Sequence, residues 1–167
     1  MRSAGFQRFC FVFVVCGALA AASPVAGGQA AAPDPLIGTW NLDVFKSTFT
    51  TGDPPLRRSI TFEVVPEGIK QTMLTTRQGF NISETVRVEY TAKIDGADYP
   101  IINSGLSTVA LKRLDAIAFE RTGKINGKPS ETATMKLSKD GKTMTITTKG
   151  TSPAAGDYSR TEIFTKQ

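Results

Sequence analysis

The 167-residue chain contains no histidine, and its only two cysteines, Cys10 and Cys16, lie near the N-terminus. Without an imidazole group the chain cannot build a histidine-dependent catalytic triad or a zinc site with histidine ligands. Charged residues make up 21% of the chain and hydrophobic residues 40%, a composition typical of a globular protein rather than a disordered one. The length is that of a single domain.

Long hydrophobic runs are also missing. The longest uncharged apolar run, residues 9–22, is shorter than the roughly 20 residues that a membrane-spanning helix needs. It follows two arginines and precedes a segment rich in small residues, an order typical of a secretory signal peptide. We therefore expect residues 1–30 to be a signal peptide and leader, cleaved after Ala22 or Ala30, and residues 31–167 to form the mature domain. An uncleaved N-terminal anchor is the alternative.

Cleavage of this leader would change the chemistry of the chain. Both cysteines would be lost, so the mature domain would have no disulfide, no cysteine nucleophile and no cysteine metal site. Two arginines would also be lost from a total of 20 basic and 15 acidic residues, which leaves only a modest positive charge. We expect an exported protein, periplasmic or extracellular, that is monomeric, binds no nucleic acid and is not inserted in a membrane after cleavage.

The mature domain alternates apolar and polar residues with period two almost throughout, which is typical of β-strands with one buried face. The clearest segment is residues 86–94, where one face carries Val86, Val88, Tyr90, Ala92 and Ile94. Asn126-Gly127 and Asp140-Gly141 predict type I′ hairpin turns, in which both central residues have positive φ. Residues 150–156 are predicted to be a loop.

The number and spacing of these segments predict the fold class. Nine or ten strands at intervals near 8–12 residues, joined by short turns, favour an all-β antiparallel up-and-down meander. A meander leaves two exposed edge strands, and closure removes them, so we expect a single barrel of about 8–10 strands. A two-sheet sandwich gives the same alternation and is the alternative.

The first strand opens with Gly38-Thr39-Trp40. A Gly-x-Trp at this place, followed by a meander, resembles the calycin superfamily, which includes lipocalins and fatty-acid-binding proteins. Residues 90–100, 109–115 and 138–145 resemble uncharacterised, secreted lipocalin-like proteins of bacteria, and this resemblance covers about residues 36–167. It implies a calycin-type, lipocalin-like β-barrel.

The resemblance also implies how the barrel closes. The indole of Trp40 would cap the apolar interior at the base of the barrel, and a basic side chain from the last strand would lie across it. We predict that Arg160 is this partner of Trp40, with Arg121 as the second candidate.

The sequence contains no recognisable catalytic motif. It has no Gly-x-Ser-x-Gly and no phosphate-binding loop. Glu63, Glu89, Glu120 and Glu131 are predicted to be solvated residues on the outer faces of strands, rather than an acid/base pair. We therefore expect no enzymatic activity, no cofactor and no metal site.

The apolar faces carry the remaining functional hypothesis. Barrels of about eight strands are either filled by side chains or hold one small ligand, and the sequence favours neither outcome. We expect a small lipophilic ligand in the interior, with Tyr90 or Tyr99 as a polar handle. The alternative is a solid-cored barrel that acts through its outer surface as an envelope interaction or inhibitor module, and a calycin-type isomerase or lyase is a third hypothesis. The residues predicted to line the interior are Trp40, Phe62, Met73, Tyr90, Tyr99, Phe119, Met135 and Met144.

Overall fold

The computed structural model describes residues 34–152 and 156–167. The predicted signal peptide and both of its cleavage positions, after Ala22 and Ala30, lie outside the described residues. Within the described part of the chain, no helix is long and apolar enough to cross a membrane.

The described residues form ten β-strands, and each strand pairs antiparallel with its neighbour in sequence. β1 also pairs with β10, which closes the sheet into a barrel. The all-β meander and the predicted strand number are thus confirmed, and the two-sheet sandwich is excluded. The strands are β1 (Gly38–Phe49), β2 (Arg57–Val65), β3 (Gly68–Gln78), β4 (Ser83–Ala92), β5 (Asp98–Ile102), β6 (Thr108–Arg113), β7 (Ala118–Ile125), β8 (Lys128–Leu137), β9 (Thr143–Ser152) and β10 (Gly156–Lys166).

The alternation along each strand separates the inside of the barrel from the outside. On β8 the buried residues are Glu131, Ala133, Met135 and Leu137, and the residues between them are half-buried or exposed. Successive side chains of a strand point to opposite faces, so the four buried residues share the inner face. Glu162 and Phe164 of β10 are buried at alternate positions and therefore also lie on the inner face.

The two predicted hairpin turns have different geometries. Asn126 and Gly127 have φ values of 51° and 76°, which confirms a type I′ turn between β7 and β8. In the β8–β9 connection only Gly141 has positive φ, at 67°. The amide of Ser138 donates to the carbonyl of Thr143 at 2.8 Å, so this turn is longer than the predicted two-residue turn.

The predicted loop at residues 150–156 is wrong in its first half. β9 continues through Gly150 to Ser152, and Gly150 is the register partner of Tyr158 on β10. A Cβ atom at Gly150 would lie 2.7 Å from the Tyr158 hydroxyl and 2.8 Å from the Glu131 Cβ. The glycine therefore reflects close packing inside a strand and not a turn.

The base of the barrel, defined as the end that holds Trp40, is closed by side chains. Trp40 is fully buried, and its indole Nε1 donates a 2.9 Å hydrogen bond to the Leu36 carbonyl. The Lys166 ammonium lies 5.0 Å from the centre of the indole ring and also donates to the Pro35 carbonyl at 3.0 Å. A cation from the last strand does cover Trp40, but it is Lys166 and not the predicted Arg160.

This correction follows from the strand register. Trp40 is the register partner of Lys166, whereas Arg160 is paired with Phe49 at the other end of β1. Arg121, the second candidate for closure, lies on β7 and forms an ion pair with Glu131. Both arginines lie toward the mouth of the barrel, which we define as the end formed by the β3–β4, β5–β6 and β7–β8 turns.

Candidate ligand-binding site

A partly enclosed cavity of about 500 Å³ lies at the mouth of the barrel. Its volume falls within the range of about 300–1,000 Å³ that is typical of small-molecule sites. One wall is apolar and is formed by Met73, Val88, Ile101, Leu106 and Ile125. The opposite side and floor are polar and carry Arg121, Glu131, Tyr158 and Arg160.

The apolar wall is built mainly by two adjacent strands and one loop. Met73 of β3 and Val88 of β4 are direct register partners, so their side chains lie side by side on the inner face. Leu106 comes from the β5–β6 loop and packs against Gly123 of β7. A Cβ atom at Gly123 would lie only 2.5 Å from Leu106 Cδ1. Glycine at this position therefore lets the loop fold over the cavity.

The polar floor is organised around the carboxylate of Glu131, which is only 8% exposed. Oε2 of Glu131 accepts a 2.6 Å hydrogen bond from the Tyr158 hydroxyl, and Oε1 is paired with the guanidinium of Arg121. Nη2 of Arg160 lies 3.9 Å from Oε2. Burial by itself raises the pKa of the Glu131 carboxyl, but Arg121, Tyr158 and Arg160 together hold it below its ordinary value.

The prediction that Glu131 is a solvated outer-face residue is wrong. Glu131 has the same parity on β8 as Met135, so it points into the barrel. Its carboxylate fits there because Gly123 and Gly150 flank it: Cβ atoms at those positions would lie 2.8 Å from Glu131 Cγ and Cβ, respectively.

A second buried carboxylate, that of Glu162, extends the floor toward β2. Oε2 of Glu162 accepts a 3.1 Å hydrogen bond from Nε of Arg160, and Oε1 is paired with Arg58. Nε of Arg58 donates to the Thr75 hydroxyl at 3.0 Å. Burial lowers the pKa of the Arg58 guanidinium, while Glu162 opposes this effect.

These contacts join five charged residues into one chain inside the barrel. We call this set the charge network; it consists of Arg58, Glu162, Arg160, Glu131 and Arg121. Buried ion pairs contribute little net stability, because desolvation of the charges offsets their attraction. Buried carboxylates and guanidinium groups that gather in a cleft are, however, typical of functional sites, and the pKa values of Glu131 and Arg58 are both lowered here. The charge network therefore marks the floor of the cavity as the chemically distinctive part of the barrel.

The predicted interior residues divide between the cavity and the core beneath it. Met73 lines the cavity. Six others pack in the buried core below: Trp40, Phe62, Tyr90, Phe119, Met135 and Met144. The half-buried Tyr99 packs against that core, and its hydroxyl donates to Asp95 at 2.7 Å. The barrel is thus filled at its base and hollow at its mouth.

Sequence reasoning missed the charged floor, although the sequence carries a signal for it. Three charged residues of the floor lie an even number of positions from a residue predicted to line the interior. Arg121 follows Phe119 by two positions, Glu131 precedes Met135 by four and Arg58 precedes Phe62 by four. In a strand such spacing places both residues on one face.

The described residues contain no group of three or more aspartates and glutamates arranged to hold a metal ion. Neither the comparison with family models nor the comparison with curated proteins finds a match for this chain. Among solved structures, the chain is similar to a lipocalin, the bovine odorant-binding protein in its complex with undecanal. The two share 13% sequence identity and a TM-score of 0.44, over 81% of this chain and 74% of the other.

Proposed function

We propose that this protein binds a small lipophilic molecule in the cavity at the mouth of its barrel, after export to the periplasm or the extracellular space. The observation that carries the proposal is a cavity of about 500 Å³, lined largely by apolar side chains, inside a closed barrel. An apolar molecule gains free energy when it moves from water to such a wall, at roughly 25 cal/mol per Å² of buried surface.

The two sides of the cavity favour an amphipathic ligand over a pure hydrocarbon. The apolar body would lie against Met73, Val88 and Leu106, and a polar end would lie over Arg121 and Tyr158. A ligand without a polar end would cover part of the charge network without supplying any hydrogen bond to it, which costs free energy.

The proposal is tested by filling the cavity from inside. In a Met73→Trp variant the indole would occupy the apolar wall. Leu74→Trp is the matched control, because Leu74 is the next residue on β3 and is 39% exposed on the outer face. Binding is measured by displacement of the neutral fluorescent probe N-phenyl-1-naphthylamine with 1-decanol.

We expect Met73→Trp to weaken binding of probe and decanol at least about tenfold, or about 1.4 kcal/mol. Leu74→Trp should change it less than about twofold. If the wild-type barrel binds neither the probe nor any ten-carbon amphiphile, the proposal is wrong and the alternative of a barrel that acts through its outer surface gains support. Equal weakening by both variants would also contradict binding inside the cavity.

A further inference from the structure

The charge network is not electrically balanced. It contains three guanidinium groups and two carboxylates, and within residues 34–152 and 156–167 these arginines form ion pairs only with Glu131 and Glu162. Each carboxylate is shared by two arginines. The floor of the cavity therefore holds one positive charge in excess, at a place where burial makes an uncompensated charge costly.

The hydrogen-bonding groups are unbalanced in the same direction. Among the described residues, the buried side-chain atoms without a protein partner are Gln71 Nε2, Tyr90 Oη, Thr108 Oγ1, Arg121 Nε and Thr148 Oγ1. Gln71 Nε2 and Arg121 Nε can only donate a hydrogen bond, the three hydroxyls can donate or accept one, and none of the five atoms is a carboxylate or amide oxygen. The described interior thus has two donors without acceptors as well as a surplus of positive charge.

Four of these five groups belong to the inner faces around the charge network. Gln71 of β3 and Tyr90 of β4 are register partners. They lie two residues nearer the base of the barrel than Met73 and Val88, on the same inner face. Thr148 is the register partner of Arg160. Arg121 itself lines the cavity, and its charge acts on the Tyr90 hydroxyl.

We propose that the cavity selects amphiphiles whose polar end carries one negative charge, and that Arg121 receives this group while the apolar body lies along Met73 and Leu106. This inference rests on the proposed function and adds the charge of the ligand to it. A carboxylate fits both surpluses, because it supplies one negative charge and accepts several hydrogen bonds. A neutral alcohol supplies no charge, and an ammonium group would add a second positive one.

A free small anion is another source of the same negative charge. A second, mostly polar cavity of about 50 Å³ is also lined by Tyr158, and its charged residues are Arg58, Arg77, Arg160 and Asp53. It is too small for an apolar tail. An experiment must therefore separate a short carboxylate from one that carries a tail.

The test compares four ligands with the full mature chain at pH 7.5: decanoate, 1-decanol, decylamine and acetate. We expect decanoate to bind at least about tenfold more tightly than decanol, and decylamine to bind more weakly than decanol. Acetate at the same concentrations should neither displace N-phenyl-1-naphthylamine nor compete with decanoate. If acetate competes with decanoate at equal concentration, the tail is irrelevant and the inference is overturned.

Two variants should move the decanoate-to-decanol affinity ratio in opposite directions. Arg121→Gln removes the excess positive charge, so the ratio should fall to within about threefold of one. Glu131→Gln adds to the excess, so the ratio should rise. Arg121→Lys keeps the charge and should retain part of the preference. The control is Arg87→Gln, because Arg87 pairs with Glu89 and is more than half exposed on β4, and this change should leave the ratio unaltered.

The ratio separates selection from structural damage, because a variant that merely loosens the barrel weakens decanol and decanoate alike. An unchanged ratio in both Arg121→Gln and Glu131→Gln would refute the role of the charge network. Equal affinity of the wild-type protein for decanoate and decanol would refute the inference and leave the proposed function intact. Absence of binding by every ten-carbon ligand would instead refute the proposed function itself.

Discussion

The Tyr158 hydroxyl donates a 2.6 Å hydrogen bond to Oε2 of Glu131 in the interior of the barrel. Burial and the neighbouring carboxylate raise the pKa of Tyr158 to about 12, while the surrounding cations hold the pKa of Glu131 below its ordinary value. At neutral pH the proton therefore resides on the phenol and the negative charge on the carboxylate. This assignment fixes the charge of the floor that a ligand would meet.

The first prediction concerns acid stability. The pKa of Glu131 is lower in the folded chain than its ordinary value of 4.5. Ionised Glu131 thus stabilises the fold above about pH 4.5, and this contribution is lost as pH falls through the lowered folded pKa. We expect the free energy of unfolding of the wild-type protein to fall more steeply than that of Glu131→Gln between about pH 5 and pH 2.

Urea denaturation at half-unit steps of pH measures this difference. At pH 7 the variant should be less stable by about 2–4 kcal/mol, because Arg121 loses its charged partner in a buried place. Glu120→Gln, one position away from Arg121 on the outward face of β7, is the control and should follow the wild-type pH profile. Parallel profiles for wild type and Glu131→Gln would show that Glu131 titrates as in the unfolded chain.

The second prediction concerns the glycine beside the Tyr158–Glu131 pair. In Gly150→Ala the new methyl group would meet the Tyr158 hydroxyl at 2.7 Å and the Ser130 carbonyl oxygen at 2.8 Å. This carbonyl belongs to the backbone of β8 and cannot move away without disturbing the strand. We therefore expect Gly150→Ala to lower the free energy of unfolding by about 1–3 kcal/mol. Equilibrium urea unfolding gives the value.

Gly105→Ala serves as the comparison, because a Cβ atom at Gly105 has no neighbour within 4 Å. Alanine there should be neutral or stabilise by up to about 1 kcal/mol, since it restricts the unfolded chain. If Gly150→Ala is as stable as Gly105→Ala, the close packing of β9 against β8 and β10 is not as the structure describes it.

The third prediction concerns closure of the base. Lys166→Met removes the cation over Trp40 and the hydrogen bond to the Pro35 carbonyl. We expect a loss of about 1 kcal/mol and a change in the fluorescence of Trp40, which is the only tryptophan of the chain. Arg160→Met should leave the emission of the folded protein unchanged, because Arg160 lies in the charge network. If the emission of Trp40 changes in Arg160→Met and not in Lys166→Met, Arg160 is the cation that covers Trp40, as predicted from the sequence.

Much of the architecture follows from local patterns. Period-two alternation is a property of each segment by itself, and short turns such as Asn126-Gly127 join neighbours in sequence, so strands and meander are readable from the chain. The Gly-Thr-Trp segment led us to expect Trp40 at the base under a cation of the last strand, and the structure places Lys166 over the buried indole. The segment did not identify that cation, because register between β1 and β10 decides whether Lys166 or Arg160 reaches the indole.

The charged floor depends on contacts that no local pattern contains. Arg58 and Glu162 are separated by 104 positions in the chain and meet only because the barrel closes. In the sequence, Glu131 cannot be told from any other polar strand residue. In the structure, Gly123 and Gly150 on the two neighbouring strands leave the space that its side chain occupies. Alternation therefore predicts which residues share a face, whereas closure and register decide which of them touch and where space is left between them. The hollow mouth and its excess positive charge are consequences of that second step.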